Sequence, residues 1–567
     1  MYADIILKNG KIYSVSENDD ILRGSAVAVA SGIITAVGKN EEIEKYAGPE
    51  TNVIDCKGNT ILPGLCDDHC HASLIASLIM GCNLFNVYVG KDYKTCQDVI
   101  DEYMRRLSAY IAEHPDEKII KGTGWNLSNF NGASGEERMP TRHDIDKICS
   151  DRPVILVSFC QHNIWVNTKA LQAAGVDETT PNPVTGTILR EENNYPAGVL
   201  QEMESVNLIR FHVPGYDFSV EQYKEVIKHY QKNLANNYGV TLINDAMHTD
   251  NATAAYKELA ESGELTMRVR GVYMLDYKNS KEIMKNILCL KGSDNRGDLF
   301  QSNTVKIFLE GEMTTCEPFE ESIIKTCGLP EGYHGRLFWE EKELTGYMID
   351  SIKAGFQIHI HAMGDLAIKQ AVECLYKAQE NAETEQRNVI AHLMLIKDED
   401  VKKMAEAHII GSCQPRWMVH DTDVQDYYIP FLGEKRALSV FPNKKFLDAG
   451  CVVAYGTDFP VTPPPNPYHE IQCALTRSVF KDAPDYERFK GKVLSPEERV
   501  GLKDAIKSLT WSGAYQNWLE DITGTIEAGK SAELVVLDCD IENIPVDKIY
   551  DIKVKNTIFK GRIVYEG

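Results

Sequence analysis

The segment Ile61-Leu62-Pro63-Gly64-Leu65-Cys66-Asp67-Asp68-His69-Cys70-His71 decides how this chain is read. It opens as an apolar, strand-forming run and closes on His-x-His. Side chains two apart on a strand point the same way, so His69 and His71 share a face while Cys70 turns from it. Two imidazoles on one rigid edge are a donor pair for zinc or a similar divalent ion. Taken alone, the pair reads equally well as two strand-end histidines held by hydrogen bonds. The rest of the chain has to choose between these readings.

From about residue 239 onward, apolar strands alternate with amphipathic helical patterns. The strands are Val240–Asn244, Met267–Tyr273, Thr304–Leu309, Phe356–His361, Asn388–His392, Ile409–Ser412 and Val452–Asp458, and helical patterns such as Asp365–Glu380 and Asp398–Ala407 fill the gaps. Strands alternating with helices imply a parallel sheet. With the His-x-His strand the count reaches eight, the number that closes a (β/α)8 barrel, whose active sites lie at the C-terminal ends of the strands.

Polar residues stand at those ends. His361 follows Ile360, His392 follows Ala391, Asp458 follows Gly456-Thr457, and Lys306 lies early in its strand. The spacing fits a βα unit of about 30 residues: 392 − 361 = 31 is one unit and 458 − 392 = 66 is two. Each residue has an ordinary alternative: His361 and His392 as hydrogen-bonded strand ends, Asp458 as a helix cap or turn former, Lys306 as a snorkelling or ion-paired lysine. Their joint placement at one barrel mouth favours a shared site. His359, two residues before His361, faces the same side one layer deeper. His361 is preferred as the ligand because a glycine-containing turn follows it.

The first 60 residues read as short strands. Asn9-Gly10 between Ile5–Leu7 and Lys11–Val15, and Ser31-Gly32 between Ala26–Ala30 and Ile33–Val37, both predict hairpins. Strands of the same kind recur at Ala532–Asp538, Ile552–Val554 and Thr557–Tyr565. The expectation is a small β-sandwich built from residues 1–60 and 520–567, with the barrel occupying 61–519. Residues from about 85 to 230 are too polar and interrupted for plain βα repeats, and are expected to form an α+β insertion after the first barrel strand. Within it, Trp125 and His162 are candidate substrate contacts, and so is Gln414 outside it. Trp125 and Trp165 also read as core aromatics of the insertion, and His162 as a structural hydrogen-bonding group.

Composition narrows the classes. At 567 residues the chain needs a large domain with additions. Its net charge of −23 excludes the basic stripe of a nucleic-acid binder. Fifteen scattered cysteines, an odd number with no CxxC, predict reduced thiols in a cytoplasmic protein. The amino terminus lacks the pattern of a signal peptide, and no apolar run approaches the ~18 residues of a membrane span.

These motifs together resemble the amidohydrolase superfamily: Pro63–His71, His361-Ala362-Met363-Gly364-Asp365, Ala391-His392, Gly456-Thr457-Asp458 and Gly524–Leu537. Segments similar to His162–Asn167 and Gln414-Pro415 occur in its long-insertion branch, which includes N-substituted formamide deformylases. The resemblance implies a metal-bearing barrel. His69 and His71 would hold one ion, His361 and His392 a second, and Asp458 would contact the metal and act as general base. Lys306 would be a carboxylated lysine bridging two divalent ions, zinc being the first choice. Where that branch carries an Asp-Gly-Ser-like turn, this chain has Glu310-Gly311-Glu312, which makes Glu310 a further candidate ligand. The implied reaction is hydrolysis of an amide-like, non-peptide C–N bond of a small molecule by metal-activated hydroxide. The resemblance also allows a homodimer. The alternatives are a deaminase of the same superfamily, a lactone or ester hydrolase, and a non-catalytic regulatory protein on a retained barrel.

Overall fold

The computed structural model describes residues 2–89, 93–130, 138–183, 186–311, 315–316, 319–326, 331–380, 382 and 384–567. Eight strands, Leu65–Cys70, Val240–Asp245, Arg268–Met274, Phe300–Phe308, Gln357–Ala362, Val389–His392, Ile410–Cys413 and Val453–Tyr455, form one sheet in chain order. All seven ladders between neighbours are parallel. The strands are rich in valine and isoleucine, which favour the pleated backbone, and nearly every position in them is buried. Helices such as Glu341–Lys353, Asp365–Gln379 and Asp398–Glu406 follow the strands.

No ladder joins the eighth strand to the first. They are tied just past the end of the eighth strand, where the Asp458 N–H donates to the His69 carbonyl at 2.8 Å and the His71 N–H to the Phe459 carbonyl at 2.7 Å. This approach requires glycine at 456, because a Cβ there would lie 2.5 Å from the His69 nitrogen and 2.7 Å from an Asp68 carboxylate oxygen.

Of two further sheets, one is built from the first 55 residues and the other draws on both ends of the chain. One contains Ile33–Gly38, Ala26–Ala30, Ile5–Lys8 and Asn52–Asp55; the other contains Lys11–Ile12, Thr60–Pro63, Leu534–Leu537, Val554–Phe559 and Arg562–Glu566. Their facing sides share a core of Ile5, Leu7, Val27, Val29 and Ile34 with Ile12, Ile61, Leu534, Val536 and Ile558. The Ser31-Gly32 hairpin is present, with both turn residues at positive φ (51° and 80°) and Ala30 opposite Ile33. The Asn9-Gly10 hairpin is not. Ile5–Lys8 pairs with Ala26–Ala30 and Asn52–Asp55, while Lys11–Ile12 pairs with Thr60–Pro63 in the other sheet. Turn chemistry fixes the local reversal, but the burial of apolar side chains chooses the partner strand.

The chain divides into two compact units, one of them Ser73–Val226 with Thr249–Ala255. That unit carries a mixed six-stranded sheet in the strand order Cys82–Asn83, Ile120–Trp125, Val154–Ser158, Asn163–Val166, Pro196–Gln201, Thr187–Arg190. The long helix Cys96–Glu113, capped by Thr95, packs Val99, Ile100, Tyr103 and Leu107 into the unit's own core. Among the described residues no helix is long and apolar enough to cross a membrane. The described cysteines are free thiols, and Cys327 lies outside the described residues.

Candidate metal centre

Four barrel strands and the turn after the eighth bring the predicted polar residues to one rim. His69 and His71 extend from the first strand, and Asp458 follows the eighth. One Asp458 carboxylate oxygen lies 3.0 Å from His71 Nε2 and 3.4 Å from His69 Nε2. One ligand atom from each of these three buried residues falls within 4.8 Å of the others. His359, on the fifth strand, places its Nε2 2.8 Å from His69 Nδ1. The His392 ring, at the end of the sixth strand, has its centroid 4.9 Å from that of His69 and 4.5 Å from that of His361. Lys306 is fully buried opposite His359 in the parallel ladder.

The fifth strand therefore contributes both of its histidines. His359 reaches the His69 layer, whereas His361 lies nearer the solvent, stacked on Phe308 with centroids 4.9 Å apart. Alternation along the strand puts both residues on the inner face with His359 the deeper, as found, but does not say which of the two depths the other histidines reach.

The backbone holding these groups is unusual. Asp458 (φ 53°) and His392 (φ 79°) both occupy the left-handed region, which costs a non-glycine residue about 1–3 kcal/mol and is tolerated where neighbours enforce it. For Asp458 the enforcement comes from Asp67, whose carboxylate accepts the Thr457 N–H at 2.9 Å and the Thr457 hydroxyl at 2.6 Å.

Burial sets the protonation states. Loss of solvent holds the His69 and His359 imidazoles well below the ordinary histidine value, with the nearby Lys306 charge adding to the effect. His392 is pushed down to about 4, again mainly by burial. Burial brings the Lys306 ammonium down to about 7, against the pull of Asp458 and Asp68. Burial would raise the Asp458 carboxyl, but the hydrogen bond and charge of His71, with His392 and Lys306, outweigh it and keep the group below its usual value. The rim thus combines the neutral imidazoles of His69, His359 and His392, an ionised Asp458 carboxylate and a lysine brought down to about 7. Lys306 Nζ and His71 Nδ1 are buried without a hydrogen-bond partner. Neutral nitrogens beside an ionised oxygen are what a divalent cation requires of its ligands, so the residues present fit such an ion.

Glu310 takes a different part from the one its position suggested. Its carboxylate accepts backbone N–H groups from Met363 (2.5 Å) and Gly364 (2.9 Å) through one oxygen and from Thr315 (2.5 Å) through the other. One oxygen fastens the turn after His361 and the other holds Thr315, so Glu310 anchors this junction. Gly364 completes this junction, since a Cβ there would lie 2.0 Å from the Thr315 carbonyl oxygen. Glu312 lies outside the described residues.

Gln414 is buried, and its Oε1 lies 2.9 Å from His392 Nδ1. In the second unit, Trp125 is wholly buried, donates its indole N–H to the Leu156 carbonyl at 2.9 Å and packs edge-on to Trp165. His162 Nδ1 lies 3.3 Å from a Glu202 carboxylate oxygen.

Barrel, strand-end histidines and aspartate together describe a metal-dependent hydrolase scaffold. The model of the amidohydrolase family matches residues 52–565, and the chain belongs to that family, whose enzymes act on carbon–nitrogen bonds other than peptide bonds. N-substituted formamide deformylase of Arthrobacter pascens is 25% identical over 575 residues, covering 99% of this chain and 98% of the relative. Exoenzymes regulatory protein AepA of Pectobacterium carotovorum subsp. carotovorum is 28% identical over 429 residues, or 74% of this chain and 86% of the relative. The crystal structure of an uncharacterized metal-dependent hydrolase from Pyrococcus horikoshii OT3 superposes with a TM-score of 0.72 at 22% identity, covering 96% of this chain and 99% of that one, and shares its fold.

Proposed function

We propose that the chain hydrolyses an amide-like C–N bond in a small molecule at the rim built around His69, His71 and Asp458. The observation that carries this reading is the convergence of those three donors within 4.8 Å at the C-terminal end of a parallel barrel. His361, His392 and Lys306 complete the proposed ligand set, with His359 competing for the place of His361. A divalent ion held there, zinc by its preference for such donors, would supply a Lewis acid and lower the pKa of a coordinated water from 15.7 to about 7.

The chain's own groups do the remaining work. Asp458, kept ionised by His71, His392 and Lys306, accepts the proton of the attacking water and delivers it to the departing nitrogen. With a value of about 7, about half of Lys306 is neutral near pH 7, and the neutral amine is the form that adds carbon dioxide. Its carbamate would supply two oxygens and a negative charge as ligands to bound metal. The Asp67–Thr457 clasp holds Asp458 in its left-handed conformation and so fixes the base relative to the histidines.

The relative named N-substituted formamide deformylase makes N-substituted formamides the first compounds to try, followed by simple and cyclic amides. Metal-replete protein is expected to turn over a member of this panel, to lose the activity on exhaustive chelation and to regain it with zinc. Turnover that survives chelation would refute the reading.

A further inference from the structure

We propose that Gln414 is a positioning residue that fixes the tautomer of His392, and that the segment Gln414–Trp417 couples this histidine to the loop carrying Asp458. The inference rests on the metal-centre reading above and assigns work to residues outside the ligand set.

Gln414 Oε1 is an acceptor only. At 2.9 Å from His392 Nδ1, it requires that nitrogen to carry the hydrogen. The lone pair of the neutral ring then resides on Nε2, the nitrogen free to bind a cation. The opposite amide orientation would direct an N–H at Nδ1 and place the ring hydrogen on Nε2, which destroys the ligand. A metal-binding histidine characteristically donates its second N–H to a fixed acceptor, and loss of that acceptor costs about 10–100-fold in metal affinity or activity.

The same segment secures the ring from a second direction. The Trp417 indole stacks on His392, with centroids 5.2 Å apart and planes 19° from parallel. Its Nε1 donates to the Thr462 hydroxyl at 2.7 Å, four residues beyond Asp458. Arg416 donates from its side chain to the Pro463 carbonyl at 2.9 Å, and its backbone N–H to a carboxylate oxygen of the buried Glu470 at 2.8 Å. A stretch of four residues thus touches the sixth-strand histidine on one side and the eighth-strand loop on the other. Lacking an exposed surface, Gln414 acts on the reaction through His392 and not by touching substrate.

The test uses full-length protein with zinc or cobalt(II) as the probe ion. Metal affinity is measured by competition with a chromophoric chelator, the cobalt visible spectrum is recorded, and kcat and KM are determined separately. Gln414→Leu removes the acceptor, and Gln414→Glu keeps one. The expected result is an affinity about 10–100-fold weaker in the leucine variant, with an altered cobalt spectrum and a fall in kcat at unchanged KM. The glutamate variant should retain wild-type affinity and spectrum. Should the leucine variant not fold, Gln414→Met replaces it. Equal affinity in leucine, glutamate and wild-type proteins would overturn the proposal, as would equal weakening in both variants or a rise confined to KM. Failure of the wild-type protein to bind either ion would instead overturn the metal-centre reading, and this inference with it.

Discussion

Two buried regions of this molecule use burial in opposite ways. In the second unit, burial serves packing, and the indoles and one amide at its centre are matched to protein partners. The Trp125 and Trp165 indoles donate to the carbonyls of Leu156 and Thr141, and the Asn167 side chain bonds Val154, Ala170, Cys149 and Arg152. At the barrel rim, burial is as complete, yet Lys306 Nζ has no partner and the histidines crowd one another's nitrogens. Such a collection is costly unless something compensates it. Buried groups matched to the backbone indicate stability, whereas buried groups left facing each other indicate a ligand.

Several substitutions would break or sharpen that contrast. The largest effect is expected from Asp458→Asn, which keeps shape and burial but removes the base. It should lower kcat by about 10²–10⁴-fold without lowering the melting temperature, and steady-state kinetics with thermal melts would check this. Lys306→Ala should cut the bound metal from two ions to one or fewer by elemental analysis; unchanged stoichiometry would reject the bridging role.

Effects on stability come next. Burial lifts the Glu470 carboxyl to about 8, above its unfolded value. The proton is therefore bound more tightly in the folded state. This contribution to stability is complete below about pH 4.5 and is lost as pH rises towards 8, a change on the order of a few kcal/mol. Glu470→Gln should flatten that decline in melting temperature while keeping the oxygen that holds Arg416. In the packing region, Trp125→Phe leaves the Leu156 carbonyl without its donor and should cost about 1–3 kcal/mol in denaturant unfolding. Metal content and KM should stay as they were, and a raised KM would return Trp125 to the substrate pocket. Smallest of all, His162→Ala should be read from KM alone, since its contact with Glu202 is long and partly exposed.

How far the sequence carried follows from the range of the interactions. All eight barrel strands were legible because each is a local apolar run, and the placement of His69, His71, His392 and Asp458 at strand ends was legible because strand ends are local too. Asn9-Gly10 misled because a turn dipeptide records the bend and not the sheet each arm joins. Glu310 was illegible as an anchor because two of its partners, Met363 and Gly364, lie more than fifty residues on. The nearness of Gln414 to His392, 22 residues earlier on the adjacent strand, leaves no local signal. Only the register of two strands brings them together. His359 and His361 share a face, and their order along the strand gives their relative depth but not the depth at which His69 meets them.

The central claim is that the rim nitrogens and the Asp458 carboxylate surround a cation. Anomalous diffraction at the zinc edge from crystals of zinc-loaded protein tests it most directly. The account predicts a peak within bonding distance of His69, His71 and Asp458 that disappears in a His69→Ala, His71→Ala double variant. Zinc-loaded crystals with no peak there, or with the ion held elsewhere, would contradict it.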